Sequence, residues 1–310
     1  AVVLLPAADQ GLLSLAMPDA KVLVGADVER MRVTPFGRFL LDQFQKEEKN
    51  FQEFIAVTGF DPRRDVREVL VASSEAPEKG PGKGVVLVRG SFDTTRIQTF
   101  LKSMGEGSVV NYQGVDIIAG KETKSPAPGS FAVLNSTLAA MGDLDNLKAV
   151  IDRQKGGQSL DSRTISRVQQ LSAANHLWLL TTIPLADVAG KVGNSQASGV
   201  MKGDAFKSIE QITCALNFGE AKVQLTGEAV AGSEKDASAL ADVVKFVVGI
   251  VQLNRDNKET ADMAAVLDTL EVKASGNTVK LTLAVPEAQV ENLIRGKGDK
   301  RVIRNISAEK

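Results

Sequence analysis

The sequence predicts an α+β fold of two tandem, structurally similar repeats, residues 1–155 and 156–310, each an antiparallel-rich sheet with packed helices. Three observations carry that expectation. The same order of elements occurs twice: a buried apolar run, a helical region, two strand-like runs, a helix and a hairpin. Ile209 to Phe218 and Lys222 to Ala229 alternate as an antiparallel pair, and other strand-like runs are joined by turn residues as hairpins. The chain has 310 residues, 43% hydrophobic and 24% charged, which is the size of two ordinary domains and the balance of a soluble protein. Residue identity between the halves is faint. The clearest matches are Val22-Leu23-Val24 with Leu177-Trp178-Leu179-Leu180, each closed by an Ala-Asp-Val triplet (26–28 and 186–188). Val86 to Gly90 likewise matches Val223 to Gly227.

In the first half, Val22 to Ala26 reads as a buried strand. Thr34-Pro35 opens a helix, because Thr caps the free N–H groups and Pro at the first position loses no hydrogen bond. The pattern carries that helix to about Val57, with Gly59 as its left-handed stop. Phe36, Phe39, Leu40, Phe44, Phe51, Phe54 and Ile55 recur at three- and four-residue spacing, one face packed on a sheet rather than a lipid groove. Glu68 to Ala72 and Val85 to Val88 form a strand pair across the Pro- and Gly-rich loop 75–83. Asp93 begins a helix through Ser103, with Ile97, Phe100 and Leu101 inward. A hairpin from Val109 to Ala119 turns at Gln113-Gly114, and a polar loop follows over 121–129. Short strands at 131–134 and 138–141 precede helices at 143–153 and 162–173, with the boundary between halves at Gly156-Gly157.

In the second half, Leu177 to Ile183 is a strand, and Asn194 to Gly203, rich in small polar residues, is a mobile loop. Ile209 to Phe218 and Lys222 to Ala229 alternate as an antiparallel pair. Ser233 and Asp236 form an approximate capping box for a helix through Leu253. That helix is apolar on most sides, so it is placed centrally and covered by a helix at 260–267. A hairpin from Leu270 to Val285 turns at Gly276-Asn277. Val285-Pro286 then starts a last helix with Val290, Leu293 and Ile294 inward, stopped by Gly296.

Chemically equipped residues are few, and none is assigned as catalytic, cofactor-binding or metal-ligating. His176 is the single imidazole, so a His-based metal site has no second His, and no Gly-x-Ser-x-Gly elbow serves it. Cys214 stands alone in the apolar run Ile212 to Leu216, which rules out an internal disulfide and reads as a buried small hydrophobe. Gly114 to Lys121 imitates a phosphate loop but has the wrong glycine spacing, and Glu122 stands where a hydroxyl must hold Mg²⁺. Gly80 to Gly84 has no helix after it. Among acid pairs, Glu47-Glu48 reads as a solvated helix face, Asp143 and Asp145 belong to a helix start, and Asp61 and Asp65 flank Arg63-Arg64 as a salt-bridged corner. Asn135-Ser136-Thr137 and Asn305-Ile306-Ser307 match a glycosylation pattern by chance. A net charge of −1 excludes a general nucleic-acid binder, and the basic tail from Arg295 to Arg304 reads as a solvated terminus. One Trp and one Tyr among fourteen aromatics disfavour a carbohydrate or base-stacking platform. No apolar run reaches the roughly 20 residues a membrane span requires.

Met17-Pro18-Asp19-Ala20, Gly25-Ala26-Asp27, Thr34-Pro35-Phe36-Gly37 and Gly59-Phe60-Asp61-Pro62 together resemble a family of uncharacterised bacterial proteins exported to the cell envelope, classed as domains of unknown function. The resemblance implies an extracytoplasmic place, periplasmic or secreted, after removal of a signal peptide, with the cytoplasm as the alternative. It carries no functional residues. A start at Ala1 rather than Met accords with that expectation. The function expected is non-catalytic: a binding or scaffold protein that takes a protein partner or an apolar ligand on its sheet or in a cleft between the repeats. The alternative is a hydrolase-like enzyme with a carboxylate-based site in that cleft. A cleft of convergent polar groups favours the enzyme, and a smooth apolar groove favours binding.

Overall fold

The structure, a computed structural model, describes residues 10–43, 49–75, 83–103, 107–120, 129–157, 160–184, 204–255, 261–292 and 294–295. It is α+β. Among the described residues twelve strands form one sheet in which every pairing is antiparallel. The strands are β1 (Val22–Asp27), β2 (Val66–Ser73), β3 (Gly84–Gly90), β4 (Gly107–Tyr112), β5 (Val115–Gly120), β6 (Ser130–Asn135) and β7 (Leu138–Gly142) in the first half. In the second half they are β8 (Leu177–Thr181), β9 (Ile209–Phe218), β10 (Lys222–Ala231), β11 (Glu271–Ser275) and β12 (Thr278–Pro286). Their spatial order is β11-β12-β10-β9-β8-β1-β2-β3-β7-β6-β5-β4. The sequence halves therefore meet in mid-sheet, where Val22 to Ala26 of β1 pair with Thr181 to Leu177 of β8.

Both central strands are apolar on both faces because both faces are covered. On one face, Leu23, Leu70, Leu87, Trp178 and Leu180 join the main core. Three helices close it: α1 (Gln10–Leu13), α7 (Leu144–Gln154) and α8 (Ser162–Ala174). Asp143 and Asp161 cap the last two by accepting backbone N–H bonds from Asn146, and from Arg163 and Thr164. Gly25 lies opposite Trp178 on this face. A Cβ on Gly25 would overlap the indole ring, so the glycine is what lets the only Trp lie flat across β1.

The other face carries α2 (Val28–Arg32), α3 (Pro35–Gln43), α4 (Lys49–Thr58), α5 (Pro62–Asp65) and α6 (Thr94–Ser103). Towards β11 it carries α9 (Asp204–Lys207), α10 (Glu234–Leu253) and α11 (Ala261–Leu267). Residues 287–292 are also helical, one residue beyond the end of β12. The expected Phe stripe divides between two clusters. Phe36 and Phe39 pack with Phe218 near the sheet centre, whereas Phe54 meets Phe60 and Phe100 near α6. Phe44 lies outside the described residues, as do loop 121–128 and the whole of 194–203.

Two further expectations change. The long apolar helix α10 is not central. Only Ala237, Leu240 and Ala241 are buried, and Phe246, Ile250 and Leu253 face solvent. Its sheet-facing side is Ala237, Leu240 and Ala241 with Val244 beside them, and Phe246, Ile250 and Leu253 point the other way. Cys214 is exposed on β9, because alternation puts Thr213 and Ala215 into the core and turns the thiol to the opposite face. Apolar surroundings still push that thiol above its usual range. The hairpin of β4 and β5 does not sit beside β3. It forms the far edge, and the β6–β7 hairpin lies between.

Candidate functional site

The face opposite the main core holds an apolar groove of about 680 Å³ over the mid-sheet junction. Its floor is Ala26 of β1, Val69 of β2, Leu177 of β8, Leu216 of β9 and Val223 of β10. Five strands from both halves thus contribute, each by the side chain that alternation turns to this face. Met31, Phe36 and Leu40 from α2 and α3 form one wall, and Val290 and Ile294 from the C-terminal helical segment form another. Arg63 is the single polar residue in the lining, and among the described residues no carboxylate lines the cavity.

Local chemistry explains the walls. The Asp27 carboxylate caps α2 by accepting the Arg30 N–H at 2.9 Å and Arg30 Nε at 2.6 Å. Arg30 then donates to the carbonyls of Ser172, Ala173 and Asn175 at 2.5, 3.2 and 2.5 Å. One guanidinium so caps the C-terminal end of α8, where unpaired carbonyls favour a cation, and ties the halves together. Thr34 Oγ1 accepts the Gly37 N–H at 3.1 Å and donates to Met31 O at 2.9 Å. A Cβ at Gly37 would overlap Met31 O, so Gly lets α3 turn tightly off the end of α2. Pro35 and Gly37 thereby aim Phe36 into the floor, 2% exposed.

An aromatic column runs from the sheet to the groove's border. His176 stacks on Phe218 (4.9 Å), Phe218 meets Phe36 edge-on (5.1 Å), and Phe36 stacks on Phe39 (5.8 Å). The Arg295 guanidinium covers Phe39 at 4.9 Å. His176 Nδ1 accepts the Phe218 N–H at 3.1 Å. Burial, and then the charge of Arg30, lower the imidazole pKa, while Asn217 and Asp27 oppose the shift. A neutral ring accepting a backbone N–H is a structural part of this column.

The other candidates do not converge. Asp61 and Asp65 form the expected corner, bound by Arg63 at 2.8 Å and Arg64 at 2.7 Å. Those arginines hold both carboxyls below the usual range, against a smaller desolvation effect. Asp143 and Asp145 lie at the start of α7, on the opposite side of the sheet. Glu47, Glu48 and Gly80 to Gly82 lie outside the described residues. Gln113 and Gly114 both have positive φ (51° and 87°) and form the β4–β5 turn. No group of three His, Cys, Asp or Glu side chains suited to a metal occurs among the described residues. Sequence reasoning expected a cleft between the halves but did not assemble its lining, which is scattered over nine elements. It also missed Arg30, which lies 142 or more residues from the carbonyls it caps.

No curated protein matches the chain. The fold is similar to that of TP0453 in crystal form III, with a TM-score of 0.58 at 7% identity over 91% of this chain and 96% of that one. Crystal form IV of TP0453 gives a TM-score of 0.54 at 7% identity, over 91% and 95%. At such identity the likeness concerns the fold alone. The family model described as "Protein of unknown function (DUF3352)" matches residues 52–263.

Proposed function

We propose that this chain, which belongs to the DUF3352 family, is a non-catalytic binding protein that takes an apolar ligand into the groove over its mid-sheet junction. The observation that carries this reading is the lining: one arginine among side chains that are otherwise apolar. The volume lies within the roughly 300–1,000 Å³ of small-molecule pockets, and burial of hydrocarbon supplies the affinity. A carboxylate hydrolase in the same cleft is the weaker reading, since no carboxylate lines it among the described residues.

The reading includes the two repeats, residues 1–155 and 156–310. Counted outward from the junction, β1, β2, β3, β7 and β6 correspond to β8, β9, β10, β12 and β11. A helix leaves the third strand in each series, α6 after β3 and α10 after β10. On this count β6–β7 is the equivalent of β11–β12, and β4–β5 is an addition at the edge. A groove on the pseudo-symmetry axis then draws its floor from both repeats. Superposition of the halves checks the count, and a different path through the strands would remove it.

The reading also places the protein outside the cytoplasm, on the strength of the resemblance carried by the first half. Fractionation of cells expressing the full coding sequence tests that, and a cytoplasmic product would refute it. Binding is tested by displacing a fluorescent apolar probe with a graded series of aliphatic chains. The wild type should bind the probe, and Leu216→Trp, which fills the floor, should lose at least tenfold while keeping its melting temperature within a few degrees. Equal binding by both proteins would move the site elsewhere.

A further inference from the structure

We infer that the groove's ligand is a single-chain amphiphile with an anionic head, carboxylate or phosphate, which rests at Arg63 while its aliphatic tail lies inside. This inference rests on the binding reading above and adds the chemical class of ligand. The groove interior offers a tail no hydrogen-bond partner, so a polar head has to remain at the opening. Arg63 marks that opening. Its side chain is 44% exposed, so its methylenes lie along the apolar wall and its guanidinium reaches solvent.

That guanidinium is held in place and still has capacity. Nε and Nη2 donate to Asp61 at 3.1 and 2.8 Å, which fixes the plane of the fork. Nη1 donates to none of the described groups and is available to a ligand. A second cation borders the groove from the other wall. Arg295 follows Ile294 directly, lies over Phe39, and meets Glu291 only at 3.4 Å. Asp61 is engaged by Arg63 and Glu291 by Arg295, and Asp42 lies close enough to act on Arg63 by its charge, so the donor left to an arriving head is Nη1 of Arg63. A neutral hydrocarbon would not use it. An anionic head gains a charge-assisted bond that an alcohol of equal length cannot match.

The head and the tail can be tested separately with the intact chain. Sub-micellar decanoate, dodecanoate and dodecyl phosphate are titrated against decanol and dodecanol at pH 8 in low salt. Each added methylene should raise affinity about fourfold, the value for one buried CH₂. Both kinds of anion should bind about tenfold or more tighter than the alcohol of equal length, and added salt should narrow that gap. Arg63→Gln should remove most of the gap by weakening the anions far more than the alcohols, while Arg63→Lys should retain part of it. Alcohols that bind as tightly as the anions, or an unchanged gap in Arg63→Gln, would overturn the anionic head and leave the groove reading intact. Loss of the chain-length dependence would overturn the groove reading itself, and the head with it.

Discussion

Single residues hold the two halves in register. Gly25 is the plainest case, because the space a Cβ needs is filled by Trp178, itself 4% exposed. Gly25→Ala should therefore cost about 1–3 kcal/mol, the usual penalty for overpacking a tight core. A chemical-denaturation midpoint equal to that of the wild type would show that the indole can move aside freely. His176 supplies a pH dependence. Its pKa is lowered in the folded chain, mainly by burial and then by Arg30, so below about pH 6.5 the unfolded chain binds more protons than the folded one. Stability contributed by the neutral ring is complete above pH 6.5 and falls as pH drops through the lowered folded value. The carboxyl shifts at Asp61 and Asp65 act only at more acidic pH, because both are lowered from an already acidic value. Wild-type stability should thus decline between pH 6.5 and 5, and His176→Gln should flatten that part of the profile. Parallel profiles for the two proteins would remove the imidazole as the cause.

Among the elements, two helices of similar apolar character have opposite fates. Helix α3 sends Phe36 into the groove floor, where it touches both Phe39 and Phe218. Phe36→Ala should cost roughly 3–5 kcal/mol, as large aromatic truncations do. Helix α10 turns Phe246 outward, 67% exposed, and buries Ala237, Leu240 and Ala241 instead. Phe246→Ala should change stability by about 0.5 kcal/mol or less, the scale of an ordinary surface substitution. Urea melts of the two variants make the comparison, and an equal loss in both would mean that α10 packs against something its outward face does not display. The difference arises because an apolar count does not say which side of a helix meets the sheet. In α3 the close approach at Gly37 fixes the side; in α10 the small residues Ala237 and Ala241 do.

At the scale of the whole molecule, the junction between halves is a strand pair within a continuous sheet. β1 and β8 pair over five residues, and one core runs from Leu12 of α1 to Ala215 of β9. The family match, residues 52–263, likewise crosses Gly156-Gly157. Separating the chain there would expose two long apolar strand edges, each a template for aggregation. Fragments 1–155 and 156–310 expressed alone should be insoluble or poorly folded, and co-expressed they should recover a soluble complex. Two fragments that each melt cooperatively on their own would show that the halves are independent domains. The groove would then be assembled by their association, since its floor needs β1 and β2 from one and β8, β9 and β10 from the other.

The amino-acid sequence by itself determined the α+β class, nearly all the strands, and the caps at Asp143 and Ser233, because alternation and capping act between residues a few positions apart. It also carried the Asp61–Asp65 corner and the turns at Gln113-Gly114 and Gly276-Asn277, which depend on local charge and positive φ. Only the tertiary structure decided which hairpin lies beside β3, which side of α10 faces the sheet, and that Cys214 points outward. The groove belongs to the same class. Its lining residues are ordinary core apolars in one dimension, and what distinguishes them is that no described side chain fills the space above them. A void has no residue of its own, so it leaves no pattern in a sequence. It appears when strands from both halves, two wall helices and Arg63 are brought around it by contacts more than a hundred residues apart.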